Sequence, residues 1–154
     1  MTRWLDAEQQ RAWRALISVA MRLPAALDTQ LQRDQGLTHF EYFVLSVLSE
    51  SVDRRLKLSA LAAGANASLS RLSHVVTKLE RAGFVRRETV AGERGAWAVL
   101  TDAGFDQVVS AAPDHVETVR ALIFDGLDDA DIRALTEVGE AMVAQLDRGI
   151  ASSG

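Results

Sequence analysis

Residues 68 to 81 carry hydroxyl and basic side chains at a spacing that places them along one side of a helix. Arg71, His74 and Lys78 follow one another at i, i+3 and i+7. An arginine fork can bond guanine O6 and N7 together, and a lysine can neutralise a phosphate. Three serines of the same segment can hold phosphates or single base edges: Ser68, Ser70 and Ser73. The pattern is typical of a helix that reads DNA, although a solvated helix face has a similar composition.

Two arginines beyond this segment could add to the same chemistry. Arg94 lies in a predicted tight turn over residues 92 to 95, which has glycine at both ends. An arginine at such a tip can enter a narrow minor groove, where negative potential is concentrated. Arg87 is predicted to contact backbone phosphate. The alternatives are a solvated loop arginine at position 94 and, for Arg87, a cross-strand ion pair with Glu88 or Glu93.

Changes in periodicity indicate the elements that would position these side chains. A short apolar helix is predicted over residues 59–63, a turn over 64–67 and a longer helix over 68–82. The longer helix has one apolar stripe, formed by Leu72, Val75, Val76 and Leu79. Alternating strands are predicted over 84–90 and 96–100, on either side of the tip. Helix, turn, helix and ribbon in this order predict a winged helix-turn-helix.

The remaining segments predict further helices. One runs from about position 6 to 34, where Pro24 would kink or split it. A second opens with a capping box at Thr38 and runs to about 51, and Arg54, Arg55 and Lys57 are assigned to a short link after it. A third extends from Thr101 to about 125, with a bend expected at Pro113, and a last helix follows a cap at Asp128.

The expected fold class is therefore mainly α with a small two- or three-stranded β-wing. We divide the chain into an N-terminal helix (1–36), a winged helix-turn-helix region (37–104) and C-terminal helices (105–150). The terminal helices are unusually apolar, with residues such as Trp4, Trp13, Val116 and Leu122 and a stripe in the last helix. Packing within the chain explains part of this. A two-fold dimer explains it better, so 1–36 and 105–150 are predicted to form a dimerisation region.

The net charge of −4 is unusual for a DNA-binding protein, but the charge is unevenly distributed. Between positions 66 and 95, six basic residues face three acidic ones, a local charge of +3. Because charges more than about 8 Å apart in solvent are largely screened, this local excess matters more than the total.

Composition excludes several other classes of protein. The 154 residues contain no cysteine, so disulfides and thiolate catalysis are excluded. No apolar run is long enough to span a membrane and no N-terminal signal is recognised, so a cytoplasmic location is expected. The three histidines lack metal-ligand spacing, and neither a metal site nor a cofactor is predicted. No nucleophile elbow, P-loop or dinucleotide-binding motif is present, so the chain is not expected to be an enzyme.

The segment from Ser70 to Arg87, together with Glu93-Arg94-Gly95 and the run from Val99 to Gly104, resembles the MarR family of bacterial transcription regulators. These pieces are similar to the recognition helix, the wing and the start of the helix after the wing in that family. The resemblance implies an obligate homodimer that represses promoters with a short inverted repeat and is released by a small molecule. The family usually has Asp two residues before the wing arginine. Here that position is Gly92, so Arg94 would be less firmly aimed unless Glu93 takes over.

An effector pocket between the dimerisation and DNA-binding regions is a further implication of this resemblance. Trp13 and Ile17 on the first helix, and His39 and Phe43 on the second, form i, i+4 pairs that could line an apolar cleft for an aromatic or phenolic compound. Core packing explains the same pattern.

The sequence therefore predicts a sequence-specific DNA-binding transcription regulator, a dimeric repressor released from an inverted-repeat operator by a small effector. Its predicted partners are double-stranded DNA, a second copy of the chain and the effector. The alternative is a winged-helix module that binds protein instead of DNA. Such a module would show apolar anchors on the exposed helix face.

Overall fold

The computed structural model describes residues 1–151, which are arranged in two compact units, Met1–His115 and the segment from Val116 onward. The elements of the first unit, in chain order, are α1 (Ala7–Gln35), α2 (His39–Glu50), β1 (Arg55–Lys57), α3 (Leu58–Gly64), α4 (Leu69–Arg81), β2 (Val85–Glu88), β3 (Trp97–Leu100) and the start of α5 (Asp102–Leu122). The second unit holds the end of α5 and α6 (Asp129–Ala151). Two single 3₁₀ turns cover Val52–Arg54 and Phe124–Gly126. The predicted fold class is confirmed.

Helices α3 and α4 form the predicted helix-turn-helix. Ser68 caps α4, because its hydroxyl accepts a hydrogen bond from the backbone N–H of Arg71 at 3.1 Å. The inner side of α4 buries Leu72, Val76 and Leu79, whereas Val75 is only half-buried. Gly83 follows the helix with φ of +80°, the left-handed conformation that glycine adopts most easily.

The wing is a three-stranded antiparallel sheet in the order β1-β3-β2. In β3, Trp97 pairs with Glu88 on one side and with Lys57 on the other. The two ribbon strands are shorter than the predicted 84–90 and 96–100. The segment around Lys57 that was predicted as a link forms the third strand, which a run of three residues is too short to reveal by alternation.

One hydrophobic core holds the first unit together. It combines side chains from α1 to α5 and the sheet, and its most buried members are Leu31, Val44, Leu45, Leu48, Leu61, Leu72, Val76, Leu79, Val85, Ala98, Leu100 and Ala111. The C-terminal part of α1 thus belongs to this core, whereas its N-terminal part exposes Trp13 and Leu16, and Trp4 is exposed in the segment before the helix.

The long helices follow the predicted caps but differ in detail. Helix α1 is continuous through Pro24 and is not split. The predicted capping box at Thr38 and the cap at Asp128 are both confirmed by hydrogen bonds. Helix α5 passes through Pro113 and ends at Leu122, three residues before the predicted end. None of the helices described over residues 1–151 is long and apolar enough to cross a membrane.

The start of α5 lies very close to the end of α4. Thr101 caps α5 by accepting from the N–H of Gly104 and donates its own hydroxyl to the carbonyl of Gly83 at 2.6 Å. A Cβ added to Gly104 would lie 2.1 Å from the backbone oxygen of Phe84. Only glycine therefore allows α5 to pack at this distance.

Candidate nucleic-acid interface

The outer face of α4 presents polar side chains to solvent. Ser70, Arg71 and His74 are exposed, as is the capping residue Ser68. Leu69, in the first turn, is the exposed large apolar residue of this helix, with 54% of its surface accessible. A single exposed leucine is not a docking patch, and it can pack against a thymine methyl group. The face as a whole offers hydrogen-bond donors and positive charge.

Two basic side chains of this face also touch α2. The guanidinium of Arg71 lies over the ring of Phe40, 4.4 Å from its centre. The ammonium group of Lys78 forms an ion pair with Glu41 at 2.5 Å. Both contacts are made by the N-terminal turn of α2.

Arg87 is engaged inside the protein. Its guanidinium donates to Glu80 at 2.7 Å and to the backbone oxygen of Ser73 at 2.7 Å, and it also bonds the hydroxyls of Ser73 and Thr77. The hydrogen bonds from the backbone and side chain of Arg87 hold the pKa of Glu80 below its usual range. The acidic partner of Arg87 is thus Glu80, and the alternative of a cross-strand ion pair with Glu88 or Glu93 is wrong. A phosphate contact by Arg87 stays a prediction, and this network favours a structural role that ties β2 to α4.

The wing tip presents Arg94 to solvent. Gly92 and Gly95 have φ of +81° and +79°, so the turn around Arg94 uses two left-handed positions. Among residues 1–151 no carboxylate lies close enough to form an ion pair with Arg94. Glu93 does not take over the role of the missing Asp, because it pairs with Lys57 at 3.1 Å and accepts from Trp97 Nε1–H at 3.0 Å. These hydrogen bonds lower the pKa of Glu93.

Basic side chains stack on the base of the wing. The guanidinium of Arg55 lies 4.1 Å from the ring centre of Trp97, and the ammonium of Lys57 lies 5.5 Å from it. A cavity of about 170 Å³ lies between this region and the start of α4. It is lined by both polar and apolar residues: Lys57, Leu58, Ser59, Leu69, Ser73, Arg94, Gly95 and Ala96. The wing and the start of α4 therefore surround one recess, which has Arg94 at its edge.

Solved structures share this fold over almost the whole chain. Sco3205, a MarR family transcriptional regulator from Streptomyces coelicolor crystallised in complex with DNA, has 43% identity and a TM-score of 0.90 over 95% of this chain and 92% of its own. AbsC, a MarR family transcriptional regulator from the same organism, has 40% identity and a TM-score of 0.88 over 96% and 99%. The chain belongs to the MarR family of transcriptional regulators.

A more distant likeness is limited to the fold. CouR from Rhodococcus jostii, crystallised with p-coumaroyl-CoA, has 20% identity and a TM-score of 0.73 over 83% of this chain and 88% of its own. Protein-family models and curated proteins gave no match.

The residues predicted to line an effector pocket lie in different surroundings in this MarR protein. Trp13 is 53% exposed, whereas Ile17, His39 and Phe43 are half-buried. The backbone N–H of His39 donates to Asp28 of α1 at 2.9 Å. The effector site stays a prediction.

Two of the three histidines are neighbours, although they are far apart in sequence. The rings of His39 and His115 lie 6.1 Å apart, and Tyr42 is 4.6 Å from His115. Their Nδ1 atoms are buried and find no hydrogen-bond partner among the described residues. Burial lowers the pKa of both histidines; Asp28 partly opposes this for His39, and His39 adds to it for His115. Within residues 1–151 no cluster of three or more histidine or acidic side chains is arranged to hold a metal ion.

Sequence reasoning missed the residues that contact the basic side chains of the candidate interface. Phe40 and Glu41 were read only as the start of α2, and Arg55, Lys57 and Trp97 were not recognised as a stack. The capping-box pattern placed Glu41 correctly in the first turn of α2. Its contact with Lys78, 37 positions later, had no local signal.

Proposed function

We propose that this protein is a dimeric transcription regulator that binds an inverted-repeat operator in the cytoplasm and represses the adjacent promoter. Helix α4 of each subunit lies in a major groove, and the wing lies in the neighbouring minor groove. The proposed contacts come from the outer face of α4 and the wing tip: Ser68, Ser70, Arg71, Ser73, His74 and Arg94. Lys78, which the sequence also predicts to bind DNA, lies on the same face but is paired with Glu41. Arg71 is positioned near the start of the helix, where recognition helices touch base edges.

The observation that carries this proposal is the exposed cationic surface formed by α4 and the wing. His74 and Ser70 point to solvent, and Arg94 stands at the tip without an acidic partner among the described residues. Arg87, by contrast, is held inside the protein by Glu80 and Ser73. The relative with 43% identity was crystallised in complex with DNA, which supports DNA binding by this chain.

A homodimer is supported by apolar surface on the terminal helices, the segments 1–36 and 105–150 proposed as the dimerisation region. The first unit exposes Trp4, Trp13 and Val19, and the second exposes Leu135, Val138 and Leu146. Exposed apolar surface of this extent is typical of a subunit interface. A two-fold dimer would present two α4 helices about 34 Å apart, one turn of DNA.

Release by a small aromatic or phenolic effector is the finer part of the proposal. The side chains proposed to contact it are Trp13, Ile17, His39 and Phe43. A panel of aromatic carboxylates and phenols should change the tryptophan fluorescence of the protein and weaken operator binding. An absence of both effects across the panel would contradict this part alone.

A winged-helix module that binds protein is the second candidate. It is favoured only by Leu69, which is the exposed large apolar residue of α4. The surrounding hydroxyl, imidazole and guanidinium groups suit phosphates and base edges better than an apolar partner.

The test is a footprint of the protein on the DNA upstream of its own gene at several salt concentrations. We expect protection of an inverted repeat, and an affinity that falls steeply with salt because bound counterions are released. Transcription from the same DNA should fall when the protein is added. Equal binding to unrelated DNA would overturn sequence-specific regulation, and capture of a protein partner by the α4 face would favour the alternative.

A further inference from the structure

The N-terminal turn of α2 contacts the recognition helix at two points. Phe40 lies under the guanidinium of Arg71, and Glu41 pairs with the ammonium of Lys78. Because Arg71 and Lys78 are seven residues apart, the two contacts are two helical turns, about 10 Å, apart along α4. Two contacts at this separation restrain both the rotation and the tilt of a helix.

Glu41 is the unusual member of this arrangement, because its side chain is only 4% exposed. One carboxylate oxygen accepts the backbone N–H of Thr38 at 3.0 Å and so completes the capping box of α2. The other carboxylate oxygen faces Lys78. A buried carboxylate needs a partner, so Lys78 is held against α2 even though its own side chain is 63% exposed.

We propose that Glu41 is a positioning residue that determines how specifically α4 reads DNA, an inference that rests on the DNA-binding function proposed above. Glu41 neutralises Lys78 and withholds it from the phosphate backbone. The protein therefore lacks the binding energy that a contact between Lys78 and any phosphate would supply. In return, the ion pair fixes α4 in one orientation relative to α2. Lys78 then supports the reading of bases by Arg71 without adding a full phosphate contact of its own.

This role separates specific from non-specific binding. A lysine released from Glu41 would seek phosphate on any DNA, which raises non-specific affinity and steepens its dependence on salt. Loss of the ion pair also removes a restraint on the orientation of α4. Its side chains then contact base edges with less precise geometry, which weakens operator binding. The ratio of operator affinity to non-specific affinity should therefore fall.

Glu41→Gln is the variant that isolates the charge. Glutamine can still accept the N–H of Thr38, because capping boxes use Glu or Gln at this position, so the melting temperature should change little. Glu50→Gln is the matched control, since it removes one negative charge at the exposed C-terminal end of the same helix. Glu41→Gln/Lys78→Gln removes both partners without leaving a buried carboxylate unpaired.

Each protein is titrated with operator and with unrelated DNA at several salt concentrations. For Glu41→Gln we expect the specificity ratio to fall by about five-fold or more, the loss that one misread base pair causes. The slope of log affinity against log salt should steepen by about 0.9 for each bound subunit. Glu50→Gln should keep the wild-type ratio. The double variant should return to the wild-type slope and retain the reduced ratio.

A Glu41→Gln protein with the wild-type ratio, or with the wild-type slope, overturns the positioning role. A double variant with a shallower slope than wild type also overturns it, because Lys78 would then have contacted phosphate all along. If the wild-type protein itself does not prefer operator over unrelated DNA, the proposed function fails together with this inference. The two failures are thus distinguished by the wild-type titration.

Discussion

Arg87 and Arg94 belong to the same wing, but the different surroundings of their side chains indicate different roles. Arg87 bonds four oxygen atoms of α4 residues, whereas Arg94 stands in solvent at the tip. Because Glu93 is held by Lys57 and Trp97, it is not placed to aim Arg94. In the proposed DNA complex, part of the binding energy would be spent on ordering the exposed side chain of Arg94.

Replacing Arg94 with alanine should weaken operator binding by about ten-fold or more, the effect expected when an arginine loses a groove contact. Its melting temperature should stay at the wild-type value, since Arg94 has no internal ion pair among the described residues. Operator titration at matched salt and thermal unfolding measure the two properties. Equal affinity of the two proteins would contradict a role in the minor groove.

Arg87→Ala serves as the contrasting variant. Loss of its hydrogen bonds to Glu80 and Ser73 should reduce the free energy of unfolding by about 1 to 3 kcal/mol. Retention of full stability by Arg87→Ala, together with weaker binding, would instead support the original phosphate prediction.

At the scale of elements, close approaches between helices position the interface. Thr101 joins the start of α5 to the end of α4 through the carbonyl of Gly83, and Gly104 lets the two segments pack together. On the other side, α2 and α5 meet through His39, Tyr42 and His115. Helix α5 thus connects the winged region to the second unit of the chain.

Gly104→Ala tests the first of these approaches. Its methyl group would meet the carbonyl oxygen of Phe84, so α5 must shift, at a cost of about 1 to 3 kcal/mol in the free energy of unfolding. Gly64→Ala is the control, because a Cβ there has open space around it. Chemical denaturation of the two variants measures the difference. Equal stability would show that α5 adapts without strain.

The histidine pair predicts a dependence of stability on pH. Burial lowers the pKa of His39 and His115 in the folded protein, so below the ordinary value of 6.5 the unfolded chain binds more protons than the folded one. Above pH 6.5 both histidines are neutral in the folded and unfolded states, and the free energy of unfolding is not reduced by their burial. As the pH falls below 6.5, protonation of the unfolded chain lowers the free energy of unfolding. The melting temperature should decrease between about pH 7 and about pH 5.5, around the ordinary pKa of histidine.

His115→Phe keeps a ring beside Tyr42 and removes one titrating group. Its melting temperature should depend less on pH than that of the wild type over the same interval. Parallel curves for the two proteins would show that the pair does not control this dependence.

At the scale of the whole molecule, the terminal helices of a single chain expose apolar surface that nothing in that chain covers. Leu135 and Leu146 are exposed on α6, and Trp13 is exposed on α1. Association of two chains would cover such surface, and it would present two recognition helices together.

Sedimentation should show a species of twice the 16.8 kDa chain mass. Leu135→Asp/Leu146→Asp should shift the protein toward the monomer, because charge in an apolar interface is costly. Val52→Asp is the control, since Val52 is 85% exposed and lies outside the proposed dimerisation segments. The monomeric variant should lose binding to the full inverted repeat and keep its helical content. A wild-type monomer, or a double variant that remains a dimer, would contradict the proposed interface.

Much of this protein is encoded locally. The caps at Thr38, Ser68 and Thr101, the glycine after α4 and the apolar stripe of α4 are short-range patterns, and each appears in the fold as the sequence predicts. Such features depend on hydrogen bonds and side-chain periods within a few residues, so one chain is enough to read them. The resemblance to MarR proteins over α4 and the wing likewise depends on contiguous residues.

Tertiary structure decided the rest, because it depends on pairs that are distant in sequence. The third strand became recognisable only by pairing with β3, and the partner of Arg87 proved to be Glu80 on the preceding helix. Helix packing likewise brings the rings of His39 and His115 close together and pairs Glu41 with Lys78. Amino-acid types show that these groups can carry charge, but only packing determines which charges meet.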